Sequence, residues 1–188
     1  MADNHHFEAI VGEAGRKLWS IFPEDAVEMR FEAQFHEWME TAGVSQWTRR
    51  DGSRGQYAGF GSRPEEVERS IKVDLANMRT LDIFQPRPWN HVTVVLNGNA
   101  KINFEYAHVD EIDQWPHLHL IGISGLDQVD ATRDYGIPAD DWRHVAGEVM
   151  KIRRGEAEEA RASGDAVVLR VLERKIRDLQ SRIEAAAT

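Results

Sequence analysis

The side chains best placed to do chemistry in this sequence are histidines and carboxylates, because cysteine is absent. Without a thiol there is no cysteine nucleophile, no thiolate metal ligand and no disulfide. His117 and His119 stand two apart, a spacing that puts both imidazoles on one face of a strand. Asp110 and Asp113 lie just upstream, so one reading is a small metal-dependent hydrolase using His117, His119 and Asp113. Zinc needs three or four converging ligands, and neither HExxH nor a comparable signature backs this set. His5 and His6 fall at the terminus, and His36 falls on the polar side of an alternating segment. Incidental surface placement accounts for all three.

Gly52, Gly55, Gly59 and Gly61 lack the GK[ST] ending of a phosphate loop and the spacing of a dinucleotide fingerprint. A hairpin turn and a helix start explain them better. No serine sits in a GxSxG setting. Carboxylates can pair for acid–base work, but spacing alone brings no two of them together. The expectation is therefore a chain that is not an enzyme and uses no metal and no cofactor, with the hydrolase as the alternative.

Charge points toward a binding role. The formal charge is −9, and the whole excess lies in residues 1–136, whereas residues 137–188 balance. An acidic body repels phosphate backbones and attracts basic proteins, so nucleic acid is not an expected partner. Glu28 and Glu32 share the polar face of an alternating segment with Arg30. Glu105 lies opposite the apolar residues of its own segment, and Asp110, Glu111 and Asp113 follow in an expected loop. These six carboxylates are the candidate contact surface; the plain alternative is a solvated face. Trp19, Trp38, Trp47, Trp89, Trp115 and Trp142 are mostly core by expectation, although aromatics beside acidic residues also anchor protein interfaces. No apolar run is long enough to span a bilayer, and the N-terminus lacks the basic and apolar regions of a signal peptide. The expected location is the cytoplasm, with no membrane partner.

The elements that must position these residues are legible in outline. Phe7, Ile10, Val11, Ala14, Leu18 and Ile21 form a helical stripe over 7–22, closed by Pro23. Val27, Met29, Phe31, Ala33 and Phe35 alternate with polar residues, which predicts a half-buried strand. A second strand is expected over 44–50, a turn at 51–53, and a third strand holding Tyr57 and Phe60. Ser62 and Glu65 have capping-box spacing before a helix carrying Val67, Ile71, Leu75, Met78 and Leu81. Gln85-Pro86-Arg87-Pro88 stops it. Val92–Leu96 and Ala100–Tyr106 read as a hairpin around Asn97-Gly98-Asn99, with Gly98 expected in the left-handed region. Leu118–Ile123 reads as a further strand. Beyond Ile137-Pro138 a polar helix holds Trp142, Val145 and Val149, and Ser163-Gly164-Asp165 interrupts it. Leu169, Leu172, Ile176, Leu179 and Ile183 then form a short heptad seam, which can serve a homodimer or dock on the parent domain; a second alternative function is an oligomeric scaffold built through this helix.

With these segments in place a family likeness can be stated. Pro88-Trp89-Asn90-His91-Val92-Thr93-Val94-Val95-Leu96, then Lys101-Ile102-Asn103-Phe104-Glu105-Tyr106, resemble paired strands of the YezG-like immunity proteins of bacterial polymorphic toxin systems. Trp115-Pro116-His117-Leu118-His119-Leu120-Ile121-Gly122 is similar to the aromatic and glycine stretch that closes that domain. The likeness covers roughly residues 7–123. It departs from the family pattern at His117 and His119, which replace tyrosines, and after residue 137, where nothing corresponds. The resemblance implies an immunity protein that neutralises a cognate secreted toxin, often a nuclease, by direct binding. The expected architecture is α+β: an antiparallel sheet of five or six strands with helices packed on one face, plus a C-terminal helical extension. Its expected division is an immunity domain at 1–136 and the helical extension at 137–188.

Overall fold

The computed structural model describes residues 2–35, 43–57 and 61–187. The expectations for His36, Trp38, Gly59 and Phe60 lie outside the described residues. The fold is α+β, and the chain divides into two compact units, Met1–His108 and Val109–Thr188. The expected break at 136/137 therefore falls inside the second unit.

The first unit is a five-stranded antiparallel sheet with two helices on one face. Its elements are α1 (Ala2–Ser20), β1 (Ala26–Gln34), β2 (Val44–Arg49), β3 (Arg54–Gln56), α2 (Glu65–Arg79), β4 (His91–Asn97) and β5 (Ile102–Ala107). Strand order is β3-β2-β1-β4-β5, so β1 is central and β5 is an edge. Alternation in β1 sends Met29, Phe31 and Ala33 into the core, where they meet Leu96, Val94 and Val92 of β4. Leu18 of α1 and Ile71, Leu75 and Met78 of α2 close that core. Burying four such side chains removes enough apolar surface to contribute several kcal/mol, at about 1.5–3 kcal/mol each. Polar contacts set the helix positions. Lys17 of α1 reaches Asp74 of α2 at 2.5 Å. Buried Glu68 accepts the Ser45 N–H at 3.0 Å and the Arg63 Nε–H at 2.5 Å, tying α2 to the start of β2.

Two local expectations are corrected here. Pro64 occupies the N-cap of α2 and no side chain caps it, so Ser62 and Glu65 do not form the capping box. In the β4–β5 turn, Asn97 Oδ1 accepts from the N–H groups of Asn99 and Lys101 at 3.0 and 2.9 Å. That side-chain clasp places the left-handed residue at Ala100, with φ 59°, and not at Gly98.

The second unit is helical: α3 (Gln128–Tyr135), α4 (Ala139–Ser163) and α5 (Ala166–Ala185), preceded by single 3-10 turns at Glu111–Asp113 and Ile123–Gly125. The strand expected over 118–123 is not formed. Pro116 precedes it, and His117 and Leu120 take positive φ of 73° and 61°, which a strand cannot contain. Trp142 is fully buried with Leu118, Ile123, Ala131 and Ile137, and its Nε1 donates to the Leu126 carbonyl at 3.1 Å. This packing joins residues 109–136 to the helices that follow. Gly164 supplies the left-handed turn after α4, and Asp165 caps α5 by accepting from Val167 and Val168. The seam docks on this unit's own core. Leu172 and Leu179 are buried, with Leu169, Ile176 and Ile183 packed beside them.

Candidate functional site

The face of the sheet opposite α1 and α2 carries the polar side chains of each strand: Arg30, Lys101, Asn103 and Glu105 are exposed on it, whereas Thr93 and His91 of β4 are buried. Register decides which of them meet. Glu32 pairs with Thr93, and Thr93 with Glu105, so Glu32 and Glu105 flank one residue in a single cross-strand row. The neighbouring row runs Gln46, Arg30, Val95, Asn103. Arg30 Nε donates to Glu28 Oε1 at 2.9 Å. That hydrogen bond holds the Arg30 guanidinium above its ordinary pKa despite some burial, and the charges of Glu28, Glu105 and Glu32 add to it. Three of the six predicted carboxylates thus surround one arginine. A shallow cavity of about 210 Å³ opens beside them, lined also by Gln46, Thr48 and Arg54.

Trp47 of β2 borders that cavity as well, but it pairs with Met29 and its side chain packs in the core on the helix-covered face. Its ring lies against Gly55 of β3, where a Cβ would stand 2.3 Å from the indole nitrogen. Arg49 stacks on the same ring at 5.7 Å, and Tyr57 meets it edge-on at 5.0 Å. Glycine at 55 is therefore a packing requirement of the core face and not part of a phosphate loop. The signal for Arg30 was present in the β1 alternation. That for Gln46 and Arg54 was not, because the pairing of β2 with β3 cannot be read from either strand alone.

Asp110, Glu111 and Asp113 belong to the second unit. Glu111 is exposed and Asp110 half-buried. Asp113 is not in an open loop: it ends a 3-10 turn with only 5% of its surface exposed. Ser124 donates its N–H to that carboxylate at 2.6 Å and its hydroxyl at 2.7 Å. Gly122 packs so closely that a Cβ there would stand 2.2 Å from Asp113 Oδ2. Arg153 Nη2 reaches the Ser124 hydroxyl at 3.4 Å, and Arg182 Nη1 donates to the Ser124 carbonyl at 3.1 Å. Burial pushes the Asp113 carboxyl above its ordinary pKa, against the pull of the Ser124 hydrogen bonds and the Arg153 charge. Burial likewise lowers Arg153, opposed by Asp113 and Asp110. Asp113 is thus engaged inside its own unit.

The hydrolase alternative is not assembled. Among the described residues no three histidine, aspartate or glutamate side chains are grouped to hold a metal ion. His117 is exposed at its left-handed position, while Asp113 is turned into the Ser124 network. No described helix is long and apolar enough to cross a membrane. No family model and no curated protein matches the chain.

Proposed function

We propose that this chain is a non-catalytic binding protein of the immunity type, which neutralises a basic secreted toxin through the open face of its sheet. The observation that carries the reading is the convergence of Glu28, Glu32 and Glu105 around Arg30 on hydrogen-bonded strands. Side chains fixed on a sheet lose little further entropy when a partner arrives, so a rigid charged face is a good docking surface. The net charge of −9 steers a basic partner toward it. Glu111 and Asp110 add charge on the second unit, whereas Asp113 acts there as an internal anchor. The hairpin's resemblance to the immunity family supplies the kind of partner, a toxin domain and most often a nuclease. The protein acts in the cytoplasm by occupying the toxin, with no cofactor and no contact to nucleic acid.

The test begins with the reading frames beside this gene, which should include a secreted protein with a toxin domain, and co-expresses that domain with this chain; neighbours that encode no such protein count against the reading. Cells carrying both chains should survive, and cells carrying the toxin with a Glu28→Lys/Glu32→Lys variant should lose part of that protection. Equal killing with and without the chain would refute the reading.

A further inference from the structure

The outer side of β5 is an edge of the five-stranded sheet. The Asn97 N–H donates to the Lys101 carbonyl, so Lys101, Asn103 and Glu105 turn their backbone groups toward β4. Ile102, Phe104 and Tyr106 turn theirs outward. Among the described residues no hydrogen bond reaches those outward groups. An edge strand of this kind is a template for another strand unless something blunts it.

Its side chains choose the occupant. Lys101, Asn103 and Glu105 are all exposed on the open face. In an antiparallel pair centred on Asn103, Lys101 of each copy stands opposite Glu105 of the other. Ile102 then stands opposite Phe104, a pair whose outward backbone groups face each other and can exchange hydrogen bonds. Shifting the centre to Phe104 would set Lys101 against Ala107 and lose both charge pairs. The same register brings Tyr106, whose ring meets Phe84 edge-on at 5.3 Å and leaves 52% of the residue exposed, opposite Ala100 of the second copy. There an apolar groove of about 330 Å³ is lined by Val11, Gly15, Trp19, Leu96, Ala100 and Ile102. Trp19 is itself 47% exposed.

We infer that the first unit forms a two-fold dimer through antiparallel β5 edges, making one continuous ten-stranded sheet from the five strands of each copy. Charge complementarity in one register and a groove where the exposed tyrosine arrives are the two observations behind it. The heptad seam is already packed inside the second unit, so self-association uses this edge instead. A contact of so few residues gives a weak, concentration-dependent dimer. The inference does not rest on the toxin reading, and its test needs only this chain.

Sedimentation equilibrium of the full chain over a dilution series should show a monomer–dimer equilibrium. Lys101→Glu sets like charges opposite each other twice, and so does Glu105→Lys. Each should weaken the dimer about tenfold at low salt. Mixing the two variants restores both charge pairs and should recover association, as should the double variant Lys101→Glu/Glu105→Lys. Both positions are exposed, and circular dichroism verifies that each variant is folded. In the parent chain, amide exchange at Ile102 and Phe104 should slow as concentration rises. A parent that stays monomeric throughout overturns the inference. So do single variants that associate like the parent, or a mixture that stays monomeric.

Discussion

Replacing Asp113 with alanine tests the buried network of the helical unit and separates its hydrogen bonds from its charge. Ser124 is fully buried, and Asp113 accepts both its N–H and its hydroxyl at 2.6 and 2.7 Å. Each buried donor left without an acceptor costs about 1–3 kcal/mol. Arg153, already lowered by burial, also loses the strongest of its favourable charge partners. These terms put the expected loss for Asp113→Ala at about 3 kcal/mol. Asp113→Asn keeps an acceptor oxygen and removes the desolvated charge, so it should stay within about 1 kcal/mol of the parent. The pH dependence has a definite sign. Burial raises the folded carboxyl above its ordinary value of 3.8, so the folded chain binds this proton at higher pH than the unfolded chain. The parent should gain stability relative to Asp113→Asn as pH falls through the folded pKa, and the gain is complete below the unfolded value. Urea unfolding followed by far-ultraviolet circular dichroism, repeated across a pH series, measures both effects. An Asp113→Ala variant within about 0.5 kcal/mol of the parent would refute the network. A parent advantage that shrinks on acidification would refute the desolvation argument.

Three further outcomes follow from the packing. Ala100 holds a left-handed φ of 59° in the β4–β5 turn, so Ala100→Gly should raise stability by about 0.5–1 kcal/mol in thermal melts. Gly98→Val should be milder than a left-handed site would make it, because a Cβ at Gly98 meets only the Val27 carbonyl at 3.6 Å. Gly55→Ala drives a methyl into the Trp47 ring and should cost about 1–3 kcal/mol, with a change in tryptophan fluorescence. Leu179→Ala empties a fully buried site between α4 and α5 and should cost about 2–5 kcal/mol at every protein concentration, as an internally docked seam requires.

Sheet and helices were legible wherever a periodicity ran long enough to show itself. The β1 alternation sorted Met29, Phe31 and Ala33 from Glu28, Arg30 and Glu32, and the structure puts the two sets on opposite faces. The heptad spacing found α5, although spacing alone could not say that α4 would cover it. What went unread depended on contacts distant in sequence. Leu118, Leu120 and Ile121 look like strand residues, but Trp142 and Ile137 bury Leu118 in a helical core instead. The short α3 escaped because its eight residues hold one buried side chain, Ala131. Its written signals are confined to its ends: Asp127 at the N-cap position and Gly136, which closes it in the left-handed region. Asp113 looked like its acidic neighbours, and only the fold of Gly122 and Ser124 around it reveals its burial. Glu28, Glu32 and Glu105 could be placed on polar faces one at a time. Their convergence on Arg30 needed the register of three strands.

The central claim is that the open sheet face docks a basic toxin domain. The most direct measurement is the association rate between this chain and the proposed partner, a basic toxin domain, at low and high salt. The account predicts that Glu28→Lys/Glu32→Lys slows association about tenfold at low salt. It also predicts a much smaller difference at high salt. Glu28 and Glu32 are half-buried and Glu28 accepts the Arg30 Nε–H, so the double variant should lose up to about 1 kcal/mol of stability and stay folded. Association by the folded double variant at the parent's rate in low salt would contradict it.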